Sequence, residues 1–191
     1  MSERIGIVGG TFDPPHIAHL MLAEEALHAL HLDEVWFIPV YTPPHKNMKS
    51  ESTPGQRLDL IKAAVENHPD FRVSTIEYER RGPSYSIDTI RALKEKYTDA
   101  SFYFIIGGDM EAQLHTWKDI GHLKEMVTFA VADRPGYFAE KMNEDSIQYI
   151  EAPLLDISST DIRGRIKLGK SVRYYVTDEV RHIIEKQGLY E

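Results

Sequence analysis

"RIGIVGGTFDPPHIAH", residues 4–19, reads as a buried strand, a crowded polar turn and the start of a helix. Ile5 to Val8 form a short apolar run without strict alternation, as strands covered on both faces of a parallel sheet do. From about Ile17, Leu20, Ala23, Leu27 and Leu30 recur at helical spacing. A strand passing directly into a helix opens a βαβ unit, and its turn falls where such sheets bind ligands, at the carboxyl ends of the strands. Gly9 and Gly10 let the backbone approach a ligand closely. Pro14 and Pro15 fix the turn and delay the helix. His16 then stands at the helix start and His19 one turn later on the same face, beside N–H groups that already attract anions.

The alternation continues along the chain. "EVWFIPV" (34–40), "FRVSTI" (71–76), "SFYFIIG" (101–107), "MVTFAVA" (126–132) and "SIQYIEA" (146–152) read as further strands. "TPGQRLDLIKAAVEN" (53–67) reads as a helix with Thr53 as N-cap and Pro54 in its first turn, and "SIDTIRALKEKY" (86–97) as one capped by Ser86. The chain between Ser159 and Leu189 is helical in two pieces. The expectation is a single α/β domain over residues 1–191: a doubly wound, mostly parallel sheet closed by C-terminal helices. Loops 9–16, 41–53, 107–118 and 133–138 then share the ligand-binding end.

Composition narrows the function. A length of 191 residues suits one domain, and 42% hydrophobic with 27% charged residues is ordinary for a soluble protein. The absence of cysteine excludes disulfides and thiolate-bound zinc. No apolar run approaches the ~18 residues of a membrane span. "MSERIG" leads straight into a strand, so no signal peptide and a cytoplasmic setting are expected. Thirty acidic against 22 basic residues give a net charge of −8, which disfavours a nucleic acid polymer but not a nucleotide.

Two phosphate-binding patterns fail. Gly6, Gly9 and Gly10 do not match the G-x-G-x-x-G dinucleotide spacing. "GRIKLGKS" (164–171) satisfies the P-loop pattern to the letter, but follows no buried strand and fills its loop with bulky residues. It reads as a helix and its ending. The His16/His19 pair admits phosphate binding, metal binding or a packing role, with phosphate favoured at a helix start. "DISSTDIRGRI" (156–166) offers a second such start: Ser158 or Ser159 as cap, free amides, and Arg163 one turn in.

Together these stretches resemble the nucleotidyltransferases with H-x-G-H and I-S-S-T-x-x-R motifs, and more narrowly the bacterial nicotinate-nucleotide adenylyltransferase family. The resemblance runs through "GGTFDPPHIAH", "YTPPHK", "PSYSIDT", "IGGDMEAQLHTW", "ADRPGY" and "ISSTDIR". Ala18 departs from the usual Gly, and Ser86 stands where Thr is frequent, keeping the hydroxyl. The resemblance implies a Rossmann-like fold and adenylyl transfer from ATP to nicotinate mononucleotide, giving deamido-NAD and pyrophosphate in NAD biosynthesis. It implies His16, His19 and Arg163 as catalytic, with the histidines at the α- and β-phosphates and Arg163, Ser158 and Ser159 at the β/γ end. The backbone around Ile7, Gly9 and Thr11, with Asp109 and the loop before Ser158, would hold adenosine, Gly107 and Gly108 permitting the close approach, and Gly10 and Phe12 complete the ATP-binding set. Mg²⁺ would bridge the phosphates without protein side-chain ligands. For the mononucleotide, Trp117 offers a stacking face, Lys46 a cation for the attacking phosphate, and Tyr85, Ser86 and Thr89 a helix start for the carboxylate, with Arg134 nearby. The partners implied are ATP and the mononucleotide, with no nucleic acid or membrane; a homodimer is left open. The rivals are a phosphopantetheine adenylyltransferase-like enzyme and a non-catalytic nucleotide-binding module.

Overall fold

The computed structural model describes residues 2–43, 50–133, 144–153 and 155–191. In chain order the elements are β1 (Arg4–Gly10), α1 (Ile17–Ala29), β2 (Glu34–Pro39), α2 (Pro54–Val65), β3 (Phe71–Val73), α3 (Ile76–Arg80) and α4 (Ser86–Lys96). Then come β4 (Ser101–Gly107), α5 (Gly108–Glu111), a 3₁₀ turn (Leu114–Thr116), α6 (Ile120–Met126), β5 (Thr128–Asp133), β6 (Ile147–Glu151), α7 (Ser159–Lys167) and α8 (Asp178–Gln187). All six strands are parallel, in the order β3-β2-β1-β4-β5-β6. The order reverses between β1 and β4, and a ligand belongs at that switch point.

Each face of the sheet has its own apolar layer. Val8, Val35, Phe37, Ile105 and Ala130 pack against α1 and α2, and Ile5, Ile7, Trp36, Phe104 and Phe129 pack on the α4 and α6 side. Trp36 is therefore core, as its place in a strand suggests. A third cluster joins Leu60 of α2 to Ile162 of α7 and Val180 and Ile184 of α8. This cluster seats the C-terminal helices beside the first loop.

The structure redraws several boundaries. Strand β3 ends at Val73, because this edge strand pairs with β2 alone, and Ile76–Arg80 turns helical instead. Tyr85, not Ser86, is the N-cap of α4, and Ser86 is its first helical residue. Met126 ends α6, so β5 begins at Thr128. Thr53 caps α2 as expected, accepting from the Gln56 amide at 3.2 Å.

Candidate active site

The first loop is built around a backward turn. Phe12 has φ +52° and is 1% exposed, a left-handed conformation that is uncommon for a bulky residue. Its ring folds under Gly10, where a Cβ would come within 3.0 Å of it. The same ring meets His19 edge-on at 5.2 Å, so the turn supports the histidine from below.

His16 and His19 stack with ring centroids 3.7 Å apart. The His16 amide donates to His19 Nδ1 at 3.2 Å. A neutral His19 must therefore carry its hydrogen on Nε2, the nitrogen left to donate outward. Burial lowers the His16 pKa to about 4. Burial, followed by the charge of His16, lowers His19 to about 3. His16 Nδ1 is buried without a partner.

Helix α7 brings the second motif against this loop. Ser158 is its N-cap, accepting from the Asp161 amide at 3.1 Å. Ser159 Oγ donates to Pro14 O at 2.8 Å, and Arg163 Nη1 donates to Asp13 O at 2.8 Å. Arg163 Nε also donates to Glu51 at 3.0 Å, and Lys167 pairs with the same carboxylate at 2.8 Å. The two cations hold the Glu51 carboxyl below its usual range, through hydrogen bonds first. The P-loop look-alike ends the helix: Gly169 is left-handed at φ +65° and Lys170 is exposed.

Across the crevice, β4 ends at Gly107. A Cβ there would lie 2.7 Å from Asp109 Oδ1, so the carboxylate folds over the glycine. Trp117 is half-buried and held edge-on by Phe104 at 5.5 Å and Phe129 at 6.1 Å. Lys118 ties this segment to the start of α4, lying 4.3 Å over the Tyr85 ring and 3.0 Å from Asp88. Lys118 thus brings the Trp117 segment to Tyr85 and the start of α4, where the Asp88 and Thr89 amides donate to Tyr85 O at 3.0 and 3.1 Å and the Ser86 and Ile87 amides precede the first intrahelical acceptor.

Two residues of the expected set turn their side chains inward. Ile7 is 1% exposed and pairs with Trp36 on β2 and Phe104 on β4, so its side chain belongs to the sheet core and the contact expected of it is one of backbone. Thr89 stands in the first turn of α4 as expected, with its buried hydroxyl turned inward to donate to Glu77 at 2.7 Å. Lys46 and Arg134 lie outside the described residues. Sequence reasoning missed Asp13, Glu51, Arg57, Lys118 and Tyr190. Asp13 is 3% exposed and accepts from Tyr190 Oη at 2.7 Å and from the Glu51 amide at 2.7 Å. No local pattern marks a partner 177 residues away.

The comparisons agree with this geometry. The family described as "Cytidylyltransferase-like" matches residues 7–165. Among curated proteins, "Probable nicotinate-nucleotide adenylyltransferase" of Shouchella clausii is 47% identical over 98% of this chain and 97% of its own. The protein of that name from Bacillus licheniformis is 43% identical over 99% of each. The fold matches Plasmodium falciparum nicotinic acid mononucleotide adenylyltransferase complexed with NaAD, with TM-score 0.82 and 20% identity over 98% of this chain and 97% of that one. With the first loop and the start of α7 meeting at the switch point of such a sheet, the chain belongs to the cytidylyltransferase-like nucleotidyltransferases and, among them, to the nicotinate-nucleotide adenylyltransferases.

Proposed function

We propose that this protein transfers the adenylyl group of ATP to nicotinate mononucleotide, forming deamido-NAD and releasing pyrophosphate. The observation that carries the reading is the union of two helix starts: Ser159 and Arg163 of α7 bond to Pro14 and Asp13, just before the histidines of α1. Amides, neutral imidazole donors and a guanidinium then face one volume, a set suited to a polyphosphate chain.

The 5′-phosphate of the mononucleotide attacks the α-phosphorus of ATP; the new P–O bond forms as the bond to the β-phosphate oxygen breaks. The attacking oxygen is already anionic, so no general base is required. Catalysis consists of alignment and stabilisation of charge on the reacting phosphoryl group and on departing pyrophosphate. His19 Nε2–H and His16 donate to the α- and β-phosphates, and Arg163, Ser158 and Ser159 hold the β/γ end. Gly9, Gly10, Thr11, Phe12, Gly107 and Asp109 border adenosine. Trp117 stacks the pyridine ring, and Tyr85 and Ser86 present the helix start to its carboxylate.

Mg²⁺ fits as a partner of the nucleotide rather than of the protein. Among the described residues no three His, Asp or Glu side chains are grouped so as to hold a metal ion, and the Asp13 carboxylate is taken by Tyr190 and the Glu51 amide. An ion held by phosphate oxygens and waters suits such a site, and when bound there it offsets charge on the leaving pyrophosphate. The reading carries with it a cytoplasmic setting. Among the described residues no helix is long and apolar enough to cross a membrane.

Labelled ATP tests the reaction. Label in the α-phosphate should enter a dinucleotide, and label in the γ-phosphate should leave as pyrophosphate. ATP bound but never cleaved would favour the non-catalytic module.

A further inference from the structure

Arg57, in the first turn of α2, is 1% exposed. Buried arginines are normally paired with carboxylates. Among the described residues, this one donates only to backbone carbonyls. Nη1 reaches Thr11 O at 3.0 Å and also Val40 O, Nη2 reaches Tyr41 O at 3.1 Å, and Nε is buried with no acceptor. Its rigid fork therefore spans two loops that leave neighbouring strands. Thr11 belongs to the nucleotide loop after β1, and Val40 and Tyr41 follow β2.

The second loop is gripped from the other side as well. The Tyr41 amide donates to Ser84 Oγ at 3.1 Å and to Glu77 Oε2 at 3.2 Å. Glu77 Oε1 accepts from Thr89 of α4 at 2.7 Å, and the Ser84 amide returns a bond to Thr42 O at 3.0 Å. A continuous chain of hydrogen bonds, anchored on the buried Arg57, Glu77, Ser84 and Thr89, thus runs from the nucleotide loop, through residues 40–42, to the start of α4. Those are the regions the proposed function assigns to ATP and to the mononucleotide.

We propose that Arg57 is a positioning residue that sets the register between the two substrate regions, touching neither substrate itself. The inference rests on the assignment of those regions above. If Arg57 fixes relative placement, each substrate should still bind its own half when the fork is lost. What fails is the alignment of the attacking phosphate with the α-phosphorus, and the fit of any ligand that spans both halves.

The test compares Arg57→Met and Arg57→Lys with the wild type by calorimetry, using a non-hydrolysable ATP analogue, nicotinate mononucleotide and deamido-NAD as probes. Lysine keeps the charge but cannot fork across three carbonyls. For both variants the separate ligands should bind within about 3-fold of wild type, while the dinucleotide binds at least about 10-fold more weakly, because its joined halves no longer match the site. kcat should fall by about 10²-fold with both KM values nearly unchanged, as misplacement of reacting groups by an ångström can cause. Equal weakening of all three ligands would overturn the proposal by assigning Arg57 a general structural role. Unchanged dinucleotide affinity would overturn it too. If Arg57→Met does not fold, Arg57→Lys decides by the same ratio. A wild-type protein that binds none of the probes would overturn the assignment of the halves itself, and is seen before any variant is made.

Discussion

His19 offers a single nitrogen to a substrate, because Nδ1 already accepts the His16 amide. As a preorganised donor to charge that grows in the transition state, its loss should be felt mainly in turnover. His19→Ala should lower kcat by about 10²-fold or more, with a smaller change in substrate binding. Steady-state kinetics on a folded variant check this, and near-normal turnover would return the residue to a packing role. The same burial gives the fold a pH dependence. Both histidines titrate near 6.5 when unfolded but at about 4 and about 3 when folded. The unfolded chain therefore binds more protons across that interval, and stability present above pH 6.5 drains as pH falls through the folded values. Melting temperature should decline from neutral pH toward pH 4, and His19→Asn should flatten the decline; parallel wild-type and variant curves would contradict the assignment.

At the scale of elements, α7 is the one whose reading separates true from false phosphate signals. Arg163 points back to Asp13 and Glu51, whereas Lys170 lies beyond the left-handed Gly169 and is exposed. Arg163→Ala should lower kcat/KM for ATP by about 10- to 100-fold, the usual effect of losing a charge-assisted contact. Lys170→Ala should leave it nearly unchanged. Equal damage in both would restore the P-loop reading of "GRIKLGKS". The sequence was legible wherever elements were long or capped by local chemistry: β1, α1, α2 with its Thr53–Gln56 exchange, and the start of α7 at Ser158. It was illegible where elements were short. Residues 108–126 hold α5, a 3₁₀ turn and α6, each too brief for a helical period to register, and Ile76–Arg80 hides behind β-branched residues that favour a strand. Residues that a motif gathered, as with His16, His19 and Arg163, could be expected to meet, and the loops do bring them together. Arg57 and Tyr190 were not legible, because their partners are remote in sequence and take form only when the loops fold together.

For the whole molecule, the crevice divides between ends of strands on either side of the β1/β4 switch. One side carries the histidines and α7, and the other carries Trp117 and the start of α4, joined by Lys118. That division predicts a preference for acid over amide. In the proposed site a nicotinate carboxylate would accept from the Ser86 amide and gain from the helix dipole, while an amide would set an NH₂ donor against a donor. One mispaired buried group costs about 1–3 kcal/mol, and a site built to pair a ligand group discriminates by powers of ten. Trp117→Ala should slow acid and amide alike, since stacking does not distinguish them. The most direct measurement is pyrophosphate release from ATP and Mg²⁺ with three acceptors side by side: nicotinate mononucleotide, its amide and phosphopantetheine. The account predicts kcat/KM for the acid at least about 10²-fold above the amide, with no turnover of phosphopantetheine. Equal rates for acid and amide, or preference for phosphopantetheine, would contradict it.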